Sequence, residues 1–359
     1  FIICGFEKLI NCNLFKNLTL GIDPKLFTNT QIKNFFLKNN KIKYINKNLI
    51  DEIKNQNEGF KIPFFSLSKN IVGESVDSKI KKISNHLKKN KTDYIFISAP
   101  ENVAWLLNIR GGDGPNSPIP NSRLIVSKTK KILLISKKDK CKQLIKNKII
   151  KLNQFLDVDK IPKEIFKLKG KKFIIDDKSC SIFYENLISS RFKIVSKEDP
   201  IYLLKAIKNK VEINHTINAH ILDGVALTKF IYWLKKVNKN KITEVEAIRK
   251  LERFRKMNKC YLYPSFDTIA GSGKNGAIVH YRAKKEDCRN LNKKDIFLCD
   301  SGGQYKYGTT DVTRTICFSN QSTNIKNIFT KVLKGHIAVA TTNINKDDIG
   351  KKIDKRARK

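Results

Sequence analysis

Asp295-Ile-Phe-Leu-Cys-Asp300-Ser-Gly-Gly303-Gln-Tyr-Lys-Tyr-Gly308-Thr-Thr-Asp311-Val-Thr-Arg-Thr315 decides how this chain of 359 residues is read. Its alternation predicts two strands joined by a glycine-bearing turn. On the first, Leu298 and Asp300 share a face and Phe297 and Cys299 share the other. On the second, Thr309, Asp311, Thr313 and Thr315 share a face opposite Val312 and Ile316. Gly302, Gly303 and Gly308 supply the backbone freedom for the reversal. If the strands pair antiparallel, the two carboxylates face each other across roughly 5 Å. Two metal ions about 3.5–4 Å apart fit such a pair, so Asp300 and Asp311 are candidates for half of a dinuclear hydrolytic site. The spacing equally admits Asp300 as the start of a turn and Asp311 as a solvated strand residue. The apolar run that delivers Asp300 favours the metal reading, because a buried carboxylate needs a partner.

Asp300-Ser-Gly-Gly-Gln-Tyr followed by Gly308-Thr-Thr-Asp311-Val-Thr-Arg-Thr315 resembles the metal-binding segment of Xaa-Pro aminopeptidases. These belong to the pita-bread metallopeptidases, with prolidases and methionine aminopeptidases. Asn275-Gly-Ala-Ile-Val-His280-Tyr281, Val332-Leu-Lys-Gly-His336-Ile, Ile201-Tyr-Leu-Leu-Lys-Ala-Ile-Lys-Asn and Leu222-Asp-Gly-Val-Ala-Leu-Thr-Lys-Phe230 extend the similarity over nearly the whole chain. The resemblance implies hydrolysis of the bond between an N-terminal residue and a penultimate proline. It implies two divalent ions, manganese (Mn2+) foremost with zinc (Zn2+) or cobalt (Co2+) as alternatives, that acidify a water. Asp300 would bind one ion and Asp311 both. His280 would hydrogen-bond the substrate carbonyl or the tetrahedral intermediate, and His336 is read as structural. The family's remaining ligands, one His and two Glu, lie further toward the C-terminus. The expectation is therefore a fragment, truncated at both ends and inactive as it stands. A prolidase acting on Xaa-Pro dipeptides and a non-catalytic pita-bread peptide-binding protein are the alternatives; retention of Asp300, Asp311 and His280 speaks against the second.

The net charge of +39 would ordinarily raise nucleic acid or an acidic membrane as partners. Here the lysines run through the whole length among abundant Asn and Ile, without an arginine-rich run or an RNA-binding aromatic motif. Specific nucleic-acid binding is not expected, only weak salt-sensitive adhesion to polyanions. The eight cysteines are scattered, with no Cys-x-x-Cys pair, which fits reduced thiols in a cytoplasm. No apolar run approaches the ~18–20 residues that span a bilayer. Phe1-Ile-Ile-Cys-Gly-Phe is too short for a signal peptide. A peptide substrate and, from the resemblance, a homodimer are the expected partners.

The expected fold class is α/β and α+β, with creatinase-N-like α/β domains followed by the first part of a pita-bread catalytic domain. Residues 1–68 read as the remainder of a first creatinase-N-like domain, with a strand at Leu18–Asp23 and a helix at Thr30–Leu37. Residues 69–198 read as a second. Its helices are placed at Ser78–Lys89, Glu101–Leu107 and Ser181–Ile188. Its strands are placed at Tyr94–Ser98, Arg123–Ser127, Ile132–Ser136 and Phe173–Asp176. Trp105-Leu-Leu-Asn-Ile-Arg110-Gly-Gly-Asp113 resembles a family loop, and Arg110 is a candidate for substrate binding beside the alternative of an ion pair with Asp113. Residues 199–359 read as the incomplete pita-bread domain. Asp199-Pro200 opens its helices, on which Ile217, Ile221, Val225 and Phe230 recur. Thr243-Glu-Val-Glu246 is a capping box. Gly271-Ser-Gly273-Lys-Asn-Gly276 mimics two phosphate-binding patterns. Both are rejected, because Ala277–Tyr281 reads as a strand ending at His280 where a helix is needed.

Overall fold

The computed structural model describes residues 17–36, 40–45, 48, 51–52, 62–343 and 350–358. Phe1–Phe6, Leu37 at the end of the expected helix, Leu49 and Ile50, Cys4, Cys12 and Lys359 lie outside them. The chain divides into two compact units between Asn218 and Ala219.

In the first unit, β1 (Thr19–Ile22), α1 (Asn29–Phe35) and β2 (Lys41–Tyr44) form a small parallel pair with its helix. Thr28 caps α1 through a reciprocal bond with Gln31. Ile22, Ile32 and Phe36 pack with Ile182 in one core. β3 (Phe65–Ser66), α2 (Lys69–Val72), α3 (Val76–Lys89), β4 (Tyr94–Ile97), α4 (Pro100–Leu107) and β5 (Ile109–Arg110) follow. After them come β6 (Arg123–Ser127), β7 (Ile132–Ser136), α5 (Lys138–Lys146), β8 (Phe155–Asp157), α6 (Ile161–Lys167), β9 (Lys172–Ile175), α7 (Ile182–Ser189), β10 (Lys193–Ser196) and α8 (Ile201–Ala206). Six strands form a mixed sheet in the order β10-β9-β4-β6-β7-β8.

Period-2 alternation sends Ile95, Ile97, Leu124, Val126 and Ile174 into one core. Phe96, Ile125, Phe173 and Ile175 enter the core on the opposite face. Each such side chain contributes roughly 1.5–3 kcal/mol by leaving water. The strands expected between 94 and 176 are present to within a residue. α5, β8, α6 and β10 were not anticipated, because each offers only a few apolar positions, too few to set a period.

α9 (Lys210–Lys236) runs across the division. In the second unit its Leu227, Phe230 and Leu234 pack with Ala247 and Leu251 of α10 (Glu244–Lys256). Ile217, Ile221 and Val225 are exposed, so the apolar spacing read there marks a face distinct from the buried one. Thr243 and Glu246 form the expected capping box. The strands are β11 (Tyr261–Pro264), β12 (Ile269–Ser272), β13 (Ile296–Ser301), β14 (Gly303–Tyr305), β15 (Gly308–Thr309) and β16 (Val312–Cys317). They form two antiparallel sheets, β12-β13-β16 and β11-β14-β15. α11 (Thr323–Ala340) and α12 (Gly350–Ala357) follow.

Two expectations are corrected here. Asp300 and Asp311 do not sit on two strands joined by a simple turn, because the β14–β15 hairpin leaves for the other sheet between them. Gly302 permits that departure: a Cβ there would collide with the Thr310 carbonyl oxygen and Ser265 Oγ. Ala277–Tyr281 is not a strand. Gly273–Ala277 is a 3₁₀ turn, and Gly271 lets its backbone close in, since a Cβ would stand 2.7 Å from the Gly276 nitrogen. His280 lies in a tight turn with φ +55°.

Candidate metal centre

β13 alternates as the sequence predicts. Phe297, Cys299 and Ser301 are buried, while Leu298 and Asp300 are half-buried on the other face. Burial pushes the Cys299 thiol up to about 11, which makes it a packing residue. Across the ladder Asp300 stands opposite Thr313, and Ser301 opposite Val312. Asp311 is exposed and sits one residue before β16. The two carboxylates are therefore not directly opposed. Thr313 takes the facing position, and Asp311 lies just beyond the end of the ladder.

Three interactions hold this corner. The Thr313 hydroxyl donates to Asp300 Oδ1 at 2.8 Å. Thr310, buried beside Asp311, accepts the Gly303 N–H on its hydroxyl and donates its own N–H to the Gly303 carbonyl, both at 2.9 Å. Ser301, beside Asp300, accepts from Arg255 Nη2 at 3.0 Å. Arg255 also makes a two-pronged ion pair with Asp223, at 2.7 and 3.1 Å, and Tyr305 donates to the same carboxylate at 2.8 Å. Asp223 and Arg255 are 0% and 1% exposed. Burial alone would depress the guanidinium, but the Asp223 hydrogen bond and charge outweigh it and raise Arg255 above its ordinary range.

His280 is exposed at its turn. The base of that turn is fixed by Glu244, whose wholly buried carboxylate accepts from the Ser272 and Arg289 N–H groups, Asn275 Nδ2 and the Tyr281 hydroxyl. The 3₁₀ turn before it lies over the Asp300 face of β13: a Cβ on Gly276 would stand 3.6 Å from Leu298 Cβ.

Arg110 lies in the first unit, with its guanidinium on the carbonyls of Ala104 and Ile109; burial lowers it, opposed by the charge of Glu212. Asp113 pairs with Lys140 at 2.8 Å, so the alternative pairing with Arg110 does not form. The structure thus joins Asp300 and Asp311 at one corner and places His280 on a neighbouring braced turn.

Sequence reasoning gave no role to Asp223, Arg255 or Glu244. Their signal was a periodic one, because Glu244, Ala247, Leu251 and Arg255 recur on the buried face of α10, and charges at core spacing mark partnered groups.

The donor chemistry suits hard divalent cations, with two carboxylates and neighbouring hydroxyls. Neither Asp300 nor Asp311 forms an ion pair among the described residues. No group of three or more His, Cys, Asp and Glu that could hold a metal occurs among them either. The described residues fit such a site as part of its donor set.

Residues 55–212 match the Creatinase/Prolidase N-terminal domain, and residues 214–359 match Metallopeptidase family M24. The chain is 33% identical to the Xaa-Pro aminopeptidase ApepP of Drosophila melanogaster, over 97% of this chain and 58% of that protein. It is 34% identical to Aminopeptidase P2 of Arabidopsis thaliana, over 89% of this chain and 51% of that one. The X-prolyl aminopeptidase structure from Caenorhabditis elegans, described as a cytosolic enzyme with a di-nuclear active site, superposes with a TM-score of 0.84 at 26% identity. That match covers 99% of this chain and 60% of the other. The chain spans just over half the length of the curated relatives it matches. Its α/β unit followed by antiparallel sheets under long helices is the creatinase-N and pita-bread arrangement. With both domains in sequence, the chain belongs to metallopeptidase family M24, in the form that carries a creatinase/prolidase N-terminal domain.

Proposed function

We propose that the protein containing this chain is a metal-dependent aminopeptidase that removes an N-terminal residue preceding proline. Asp300 and Asp311 would hold two divalent ions in part, with Mn2+ favoured by their hard carboxylate oxygens. One observation carries the reading. In a chain with 72 lysines and arginines, two carboxylates lie at the same end of the β13–β16 ladder without an ion-pair partner among the described residues. The names of the Drosophila relative and the C. elegans neighbour support it.

Ions bound there would supply an activated water. The chain's own residues orient and polarise. Thr313 fixes one oxygen of Asp300 and leaves the other for coordination. His280, on its exposed turn, is assigned to donate a hydrogen bond to the scissile carbonyl as its oxygen gains charge. Arg110 is assigned to substrate binding on the resemblance alone, as are a homodimer and a division of the N-terminal part at residue 68. A cytoplasmic location is supported by the six described cysteines, all unpaired. No described helix is long and apolar enough to cross a membrane.

The test is a tripeptide Xaa-Pro-Xaa offered beside the dipeptide Xaa-Pro. Release of the first residue from the tripeptide is expected to require Mn2+, to stop with a chelator, and to fall roughly 100-fold or more in D300N and D311N. Cleavage confined to the dipeptide identifies a prolidase. Mn2+ binding without cleavage of either identifies a peptide-binding protein.

A further inference from the structure

Glu244 opens α10, yet it has no capping duty there, because Thr243 and Glu246 already satisfy each other's backbone donors. Its carboxylate, 0% exposed, instead gathers five hydrogen bonds. Ser272 N–H donates at 2.7 Å and Arg289 N–H at 3.1 Å. Asn275 Nδ2 reaches both oxygens at 3.1 Å, and the Tyr281 hydroxyl donates at 2.8 Å. Asn275 Nδ2 also donates to the Tyr281 hydroxyl oxygen at 2.8 Å. Asn275 and Tyr281 are the two ends of the segment that carries His280, so a single buried carboxylate closes that segment at its base.

Between those ends the segment has little of its own to hold it. Ala277, Ile278, Val279 and His280 are exposed, and the Tyr281 N–H closes the turn on the Ile278 carbonyl at 3.2 Å. His280 adopts φ +55°, a left-handed conformation that is strained for a non-glycine residue. Such strain persists only where the surroundings over-determine it. The ion pair of Arg282 with Asp267 beyond the turn is exposed, and solvent screens it. Burial, then the Glu244 hydrogen bond and charge, raise the Tyr281 hydroxyl above its ordinary range, so it keeps its proton and remains the donor.

We infer that Glu244, acting through Tyr281 and Asn275, is a positioning residue that aims His280. The inference rests on the substrate role proposed for His280. Tyr281→Phe removes one oxygen and leaves the Asn275–Glu244 bonds in place. In the intact protein it is expected to lower kcat about 10–100-fold, the scale of a small misplacement of a reacting group, with Mn2+ affinity unchanged. Amide hydrogen exchange, read on this chain, is expected to quicken about 10-fold or more across 278–282 and to stay unchanged in β13 and β16.

The deciding readout is a double-mutant cycle. In a His280→Ala background, Tyr281→Phe is expected to cost nothing further. Asn275→Ala, which opens the base from its other end, is expected to follow the same pattern. Losses that multiply overturn the positioning role while leaving His280 in place. Full kcat in His280→Ala overturns the reading beneath it, and the inference with it.

Discussion

Thr313 stands opposite Asp300 in the β13–β16 ladder, and its hydroxyl donates to Asp300 Oδ1 at 2.8 Å. One hydrogen bond fixes the rotation of a carboxylate that forms no ion pair among the described residues. Thr313→Val keeps the shape and removes the donor. It is expected to weaken Mn2+ binding roughly 10–100-fold, measured by titration with paramagnetic resonance detection. The melting temperature should barely move, because Thr313 is exposed. Thr313→Ser should retain affinity. Equal Mn2+ affinity in Thr313→Val and wild type would refute the orienting role.

The Asp223–Arg255 pair is a case where breaking one partner costs more than the pair contributes. Removing the guanidinium leaves a buried carboxylate without its two-pronged partner, and leaves Ser301 Oγ without its donor. Arg255→Met is expected to lower stability by about 3–5 kcal/mol, seen as an earlier urea midpoint. Arg255→Lys should recover little, because an ammonium cannot span both carboxylate oxygens and Ser301 at once. Full recovery by lysine would show that charge alone matters there.

Asp199 gives the first unit a pH dependence. Burial is the main cause that raises it to about 6, against the hydrogen bonds from the Ile201 N–H and Asn102, with the Asp176 charge adding to the rise. A carboxyl raised in the folded state binds its proton more tightly there than in the unfolded chain. Its stabilising contribution is therefore complete below about pH 4 and is lost as pH rises to about 6; the shift corresponds to about 3 kcal/mol. Asp199→Asn stays neutral throughout. Asn102 Oδ1 is buried and unpartnered, so its amide can turn over and accept from the new side chain. The variant should melt higher than wild type at pH 7 and no higher at pH 4. A difference that does not vary with pH would refute the assignment.

How far the sequence could be read depends on which side of an element carries the information. The strands of the six-stranded sheet were legible because Ile95, Phe96 and Ile97 and their neighbours form apolar runs bounded by polar residues. Asp300 and Asp311 were legible through their alternation and their family pattern. What lay between them was not, because Gly303–Thr309 forms a hairpin whose partner is β11, some forty residues earlier in the chain. A long-range pairing leaves no local period. The same limit hid α10's second role. Its capping box was visible, but Glu244 at one end and Arg255 at the other act on residues far off in sequence, one on the His280 turn and one beside Asp300. Ile217, Ile221 and Val225 mislead in the opposite sense, since spacing identifies an apolar face without saying what covers it.

His280 pairs a proposed function with local strain, and the two can be separated. Both His280→Gly and His280→Ala delete the imidazole, so any difference between them reports on the backbone alone. At φ +55° glycine meets no Cβ penalty, whereas alanine keeps it. Glycine also loses more freedom on folding, by roughly 0.5–1 kcal/mol. The net expectation is that His280→Gly is more stable than His280→Ala by up to about 1 kcal/mol, while both lose activity by a common factor. Thermal melts of the two variants beside a peptidase assay would measure this. If alanine proves the more stable, the turn is not held in the left-handed region, and the strain that Glu244 is inferred to sustain through Tyr281 is absent.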